Sequence, residues 1–297
     1  MMLDADDTSP FDDEEPDLDA PRRKVVDPRT LPARFHHLKA AGACGALCLH
    51  AFQGDGADTL ARRLGTGAHA VTFDKPIAVW NQPAKKNPKK IAPRSGDVWK
   101  EFQVKHAGKA MLTIAEHDHA QRIRDALHGH PVAARLLFGP GMVYERSIVW
   151  SELGRARQST PDARRADHLV ELKTTRCAAP WRFVRDAANM GYHAQLADQR
   201  AAIKHENGGR APREVYIVAV ENVPPYVVQV YELTPTTLEQ GDKLRLAWLE
   251  RLQIYEATNL WGGYSTGIEP LEILHDLGPA IADPEWVEDA GKEGSRD

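Results

Sequence analysis

Cysteine is scarce in this chain: there are three in 297 residues, Cys44, Cys48 and Cys177. An odd count with no paired spacing excludes a disulfide framework. Cys44 and Cys48, four apart in a stretch of small residues, read as buried packing residues. Long apolar runs are missing too. No stretch approaches the roughly 20 apolar residues that a membrane helix needs. The N-terminus has no basic segment leading into an apolar one. The expectation is a cytoplasmic protein with no membrane partner. Lys and Arg are absent from positions 1–19, which carry nine acids. So little apolar surface cannot offset the entropy of ordering, and residues 1–30 are expected to be a disordered acidic tail. Residues 283–297, with six acids and two bases, read as a second acidic tail.

What is there suits a globular body. Hydrophobic residues make up 42% and charged residues 27%, enough for a sizeable core. The overall charge of −4 conceals an asymmetry, because residues 20–282 alone carry +9. A basic body suits a polyanionic partner, for which the acidic N-terminal tail would compete.

Periodicity places the elements. From Leu31 to Leu64 small residues and leucines recur at helical spacing, with an interruption at Gly54–Gly56. A strand is expected over Ala70–Phe73, and a loop rich in Lys, Pro and Asn over 81–97. Helices are expected over about Asp97–His106 and Ile114–Leu127. Val143–Trp150 alternates as a strand, with Glu145 and Ser147 on one face and Leu153–Gln158 as its hairpin partner. A third strand runs through His168–Thr175. Pro180 opens a long helix to about His205, which Asn207-Gly-Gly ends. Strands Val215–Glu221 and Tyr226–Leu233 follow, then a helix over Pro235–Thr258. The order indicates a mixed α/β domain around a central sheet.

The chemistry concentrates between Pro161 and Lys173. Asp162 ends one short segment. Glu171 and Lys173 flank Leu172 inside the apolar run Leu169–Lys173. Alternate strand residues share a face, so Glu171 and Lys173 point together while Val170 and Leu172 enter the core. Charges embedded in an apolar run are costly without a purpose. Two carboxylates can hold a hard cation such as Mg²⁺. A lysine beside them can orient the attacking water and offset phosphate charge. His69, after Gly65-Thr-Gly-Ala, is either a structural histidine or a ligand, one that suits Mn²⁺ as well as Mg²⁺. Gln195 is either an ordinary helix position or a partner for phosphate or water. Glu145 is either an outer acid of the site or an exposed one. His117, His119, His128 and His130 read as solvated.

Six pieces together resemble a PD-(D/E)xK nuclease, more narrowly the exodeoxyribonuclease VIII (RecE-like) nuclease domain, related to lambda exonuclease and the RecB nuclease. They are Gly65–His69, Trp99–Thr113, Tyr144–Trp150, Val170–Arg176, Gly191–Gln195 and Glu221–Tyr226. The resemblance spans about His36 to Tyr264. It implies a restriction-endonuclease-like core, a central mixed sheet flanked by helices, with a helical N-terminal elaboration, over residues 31–282. It implies His69, Asp162 and Glu171 as metal ligands, Lys173 as the catalytic lysine and Gln195 as a helix-borne catalytic glutamine. The implied activity is Mg²⁺-dependent exonucleolytic hydrolysis of duplex DNA, 5′ to 3′. That would leave 3′ single strands for phage-type recombination with an annealing protein, by a ring-shaped homo-oligomer. Lys85, Lys86, Lys89, Lys90 and Arg94, together with Tyr192, are candidate DNA contacts. Departures are visible. Gln158–Thr160 separates Arg155-Ala-Arg157 from Pro161-Asp162, which leaves Asp167 as a competing first acid. Gln199 stands where relatives often have tyrosine. Three cysteines cannot hold the four-cysteine iron–sulfur cluster of some relatives. An endonuclease or nickase of phage defence, or an inactive DNA-binding relative, are the alternatives.

Overall fold

The computed structural model describes residues 26–54, 59–84 and 87–270, the side chains of 87–90 excepted. The acidic segments expected before residue 26 and over 283–297, and Lys85 and Lys86, lie outside the described residues. Helices α1 (Phe35–Ala43), α2 (Gly45–Phe52) and α3 (Leu60–Thr72) come first. Then follow β1 (Ile77–Trp80), β2 (Pro83–Ala84), β3 (Asn87–Ile91), α4 (Gly96–Lys105), β4 (Ala110–Thr113), α5 (Ile114–Gly129) and α6 (Pro131–Phe138). Next are β5 (Val143–Tyr144), β6 (Ile148–Glu152), β7 (Arg155–Ser159), β8 (Ala163–Arg164) and β9 (His168–Thr175). The chain continues through α7 (Pro180–Met190), α8 (Tyr192–Glu206), β10 (Glu214–Glu221), β11 (Val228–Glu232) and α9 (Pro235–Thr258).

A central mixed sheet runs in the order β11-β10-β9-β8-β5. Its β9–β10 pair is parallel, and the other pairs are antiparallel. The parallel pair requires a crossover, which α7 and α8 supply. Both faces of β9 are covered, which explains its continuous apolar run. Leu169 packs with Leu196 and Ile203 of α8. Val170 and Leu172 pack on the opposite face with Ala68 of α3, Ile123 and Leu127 of α5 and Leu137 of α6. A third cluster joins α1 and α2 to α9 through Leu38, Cys48, Phe52, Leu249 and Leu252.

Close packing of α8 on α9 depends on Gly241. A Cβ there would lie 2.3 Å from the His193 carbonyl oxygen, which is backbone and cannot swing aside. Gly241→Ala is expected to cost about 2 kcal/mol despite the better helix propensity of alanine. The check is a lower urea midpoint at unchanged m-value.

Four sequence expectations are corrected. Ala70–Phe73 is not a strand but the end of α3, because Ala68, Val71 and Thr72 form the buried stripe of one amphipathic helix. The strand expected over Val143–Trp150 breaks after Tyr144, where Glu145 takes φ 42°. The helix expected from Pro180 to His205 is two helices, divided at Gly191 in the left-handed region (φ 71°). The loop expected over 81–97 contains the β2–β3 hairpin, and β1 pairs with β4 in a separate parallel sheet.

Acid should weaken the α1–α2 corner. His37 is buried, stacks on Phe52 at 3.8 Å, and accepts the Arg34 amide at Nδ1 (3.0 Å). Burial, aided by the nearby charges of His36 and Arg34, pushes its pKa down to about 3. The unfolded chain therefore takes this proton first. The contribution is complete above about pH 6.5 and declines as pH falls toward 3. Between pH 7.5 and 5 this group should cost up to about 2 kcal/mol. His37→Gln keeps an acceptor at this helix position without a titrating ring. The pH dependence of its urea stability should be flatter by that amount, and equal slopes would refute the assignment.

Candidate active site

The site forms where β9, β8, the end of β5, α3 and α8 meet. Glu171 and Lys173 leave β9 on the face covered by α8. Lys173 Nζ donates to Glu171 Oε1 at 2.7 Å and to Gln195 Oε1 at 3.1 Å. Gln195 Nε2 donates to Glu171 Oε1 at 2.5 Å, and Gln199 Nε2 donates to Glu171 Oε2 at 2.8 Å. The ammonium also lies 4.7 Å from the ring centre of Tyr192, which packs on Phe183 of α7. Gln195 and Gln199 are one helical turn apart, so both face the same carboxylate.

A second group stands beside this one. His69 of α3 has its Nδ1 3.5 Å from Asp162 Oδ1 and 3.6 Å from Glu145 Oε1. The donor atoms of His69, Glu145 and Asp162 all lie within 4.8 Å of one another. Strand pairing sets the two acids opposite: Tyr144 pairs with Ala163, so the Glu145 amide donates to the Asp162 carbonyl at 3.0 Å. The positive φ of Glu145 is rare for a residue with a Cβ, and such backbone is concentrated at functional sites. Asp162 Oδ2 accepts the Leu172 amide at 2.9 Å, which ties this acid to β9. Gly67 lets α3 approach β4, since a Cβ there would sit 3.2 Å from Leu112 Cδ2. Lys75, just beyond α3, pairs with Glu145 Oε2.

Electrostatics separate the two carboxylates of the β8–β9 corner. Burial, and then the neighbouring charge of Glu171, push the Asp162 carboxyl up to about 6. Burial raises Glu171 too, but the Lys173 charge and the hydrogen bonds from Lys173 and Gln199 outweigh it, so Glu171 stays below the usual range. Burial lowers Lys173, yet Glu171 and Asp162 more than restore it, and its pKa ends raised. Lys173 is therefore an ammonium at neutral pH. It can donate hydrogen bonds and offset negative charge, but it cannot take a proton.

A buried acid, a half-buried acid and an imidazole, with carboxylate charge in excess at the corner, are a donor set for a hard or borderline divalent cation. The side chains fit one: His69, Glu145 and Asp162 already converge, and an ammonium already pairs with Glu145. Of the ligands expected from sequence, His69 and Asp162 belong to this cluster, while the oxygens of Glu171 are engaged by Lys173, Gln195 and Gln199. The competing acid, Asp167, lies apart on the surface with Arg165. Arg94 is not a freely sweeping loop cation, because it pairs with Glu116 of α5. Lys89 and Lys90 lie on β3. Glu145 was left open between outer acid and exposed residue, and it stands in the cluster. Gln199, seen in the sequence only as a departure from the tyrosine of relatives, is a partner of Glu171, and Lys75 was not singled out. The spacing of Gln199 from Gln195 was the available signal for one, and nothing marked the other.

No protein-family model matches the chain. No curated protein matches it either. Among solved structures, the chain is similar to a protein from Eubacterium rectale described as a "putative exonuclease". The TM-score is 0.56 at 13% identity, over 84% of this chain and 94% of that one. A looser likeness, TM-score 0.27 at 16% identity over 67% of this chain and 93% of that one, is to LHK-Exo in complex with dAMP. The first of these shows a shared fold: a mixed α/β architecture with a central mixed sheet flanked by helices. The second is too loose to add to it.

Proposed function

We propose that this protein is a divalent-metal-dependent deoxyribonuclease, an exonuclease on duplex DNA that degrades from 5′ ends and leaves 3′ single strands. The observation that carries the reading is the juxtaposition of His69, Glu145 and Asp162 with the Glu171–Lys173–Gln195 group across one strand corner. The description of the E. rectale protein as a "putative exonuclease" agrees with it. His69, Glu145 and Asp162 would hold the cation, with Glu171 adding charge behind Asp162. A bound Mg²⁺ or Mn²⁺ polarises phosphate and lowers the pKa of a bound water. Lys173 orients the attacking water and offsets charge on the pentacovalent phosphate. Gln195 and Gln199 fix Glu171 and, through it, the lysine. A ring of identical subunits and an annealing protein as partner belong to the same reading.

Duplexes labelled at either the 5′ or the 3′ end, incubated with Mg²⁺ and sampled in time, test it. Early release of the 5′ label as mononucleotide, abolished by chelation and restored by Mg²⁺ or Mn²⁺, is expected. Early loss of the 3′ label would reverse the polarity. Cutting of covalently closed circles would replace an exonuclease by an endonuclease or nickase. No cleavage with any divalent ion would refute the reading.

A further inference from the structure

The metal-ligand cluster opens onto a groove that the reaction itself does not require. A hollow of about 360 Å³ beside the cluster is lined by Arg62, Thr66, His69, Lys75 and Glu145. A second, of about 330 Å³, has Arg62, Arg63, Arg94, Trp99 and Lys109 in its wall. Arg62 and Thr66 line both, so the two adjoin along α3. Positions 62, 66 and 69 recur at helical spacing, and a single face of α3 forms the floor. At the helical rise, Arg62 lies about 10 Å along the axis from His69, close enough for one strand to touch both.

The second hollow has four cations in its wall and no acid. Glu116, the N3 acid of the α5 capping box, reaches two of these cations. It holds Arg63 Nε at 3.1 Å and pairs with Arg94, which fixes both guanidinium groups in the wall. Beside them is an aromatic cluster with Trp99 in the groove wall. Trp99 stacks on Phe102 (5.6 Å, 18°) and stands edge-on to buried Trp80 (5.0 Å), with the Arg94 guanidinium 5.7 Å from its ring centre. Trp99 and Phe102 are half-buried residues of α4, a helix with no fully buried residue, and Trp80 anchors them from β1. A basic wall with an aromatic platform is the pairing that binds unpaired nucleic acid: phosphates meet cations, and any base can stack on the ring. A duplex keeps its base faces hidden and cannot use it.

We propose that this groove is a subsite for single-stranded DNA, holding an unpaired stretch adjacent to the cleaved bond, with phosphates on Arg62, Arg63 and Lys109 and a base on Trp99. The proposal rests on the nuclease reading of the adjoining cluster. Its test uses binding rather than cleavage, so the two can fail separately. Fluorescein-labelled hexathymidylate and a blunt hairpin duplex are titrated with the full chain in EDTA. Lys109→Gln, an exposed position, should weaken hexathymidylate binding several-fold and reduce the salt slope by about one. Trp99→Ala should weaken it by about ten-fold, and Trp99→Phe should keep most of the affinity. Blunt-duplex affinity should change less than two-fold in the tryptophan variants. Unchanged hexathymidylate binding in folded Lys109→Gln, or equal losses for both probes, would overturn the subsite, and Lys109→Gln decides even if Trp99→Ala does not fold. Oligonucleotide binding that depends on these residues in a protein that cleaves nothing would sustain the subsite and sink the nuclease reading alone.

Discussion

Lys173→Ala should lower the rate of phosphodiester hydrolysis by about 10³-fold at saturating Mg²⁺ while duplex affinity changes by less than about three-fold. The asymmetry follows from where the lysine stands. Its ammonium is largely buried, bonded to Glu171 and Gln195 and seated over Tyr192, so it offers little surface to a DNA backbone. It is close enough to Asp162 to feel that carboxylate's charge. Charge developing on phosphate there would lose a preorganised cation in a site largely shielded from water, where such a partner is worth far more than in solution. The cation ligands are other residues, so Mg²⁺ titration should remain, with affinity equal or higher once a competing positive charge is gone. Lys173→Arg is not a rescue, because the planar guanidinium cannot reproduce a compact ammonium between two side chains. The measurement is a single-turnover rate with end-labelled duplex beside a binding titration in Ca²⁺. A loss smaller than ten-fold would remove Lys173 from the chemistry. An equal loss of binding would make it a DNA contact.

The parts of this site that were readable in the sequence are those whose signals are local. Glu171 and Lys173 stood out because each interrupts an apolar run at strand spacing, and β9 spans His168–Thr175 as that pattern requires. The last helix, α9, was equally plain over Pro235–Thr258, and the structure adds Thr234 as its cap. Glu145 was ambiguous because its importance comes from pairing across strands. Alternation assigned it to the face of Ser147, whereas the backbone turns at Glu145 and only the β5–β8 register brings it to Asp162. The α3 error has a similar origin. Ala70–Phe73 is too short an apolar stretch to tell a buried helix end from a strand, and contacts from α5 and β4 decide. Gly191 lay within a quoted motif, but its break depends on a left-handed turn seated against Trp248 of α9. The meaning of Arg155-Ala-Arg157 was also hidden. In sequence the two arginines look like part of a catalytic signature. In the fold they are anchors: Arg155 bonds Glu256 of α9, and Arg157 bonds Asp198 of α8. Gln158 and Ser159 complete the pairing of β7 with β6, and Asp162 beyond them still lies 3.5 Å from His69.

That anchor carries the second large effect. Arg157 and Asp198 are both 0% exposed, and Nη2 meets Oδ1 at 2.6 Å. Arg157 also donates to the Ala33 carbonyl at 3.2 Å and to Glu152 at 3.1 Å, and its guanidinium lies 5.1 Å from the Trp150 ring centre. Glu152 is shared with Arg245 of α9 at 2.7 Å, so one network joins the β6–β7 hairpin, α8 and α9. Asp198→Ala would leave a buried guanidinium with half of its compensation gone, at a cost of about 3–5 kcal/mol. The intact pair need not add that much, because desolvation has already consumed most of its attraction. A double replacement, Arg157→Met with Asp198→Leu, should therefore recover most of the loss. Urea unfolding of Arg157→Met, Asp198→Leu and the double closes the cycle. A cost below about 1 kcal/mol for Asp198→Ala would mean that water or Glu152 relieves Arg157, and that the network is not buried in solution. The same tie has a functional reach. Asp198 lies between Gln195 and Gln199 in sequence, on the side of α8 turned toward the hairpin, and so it sets the rotation that points both glutamines at Glu171. Folded Asp198→Asn, which keeps shape and loses charge, should therefore lower kcat with little change in KM, the signature of a positioning defect rather than a binding one.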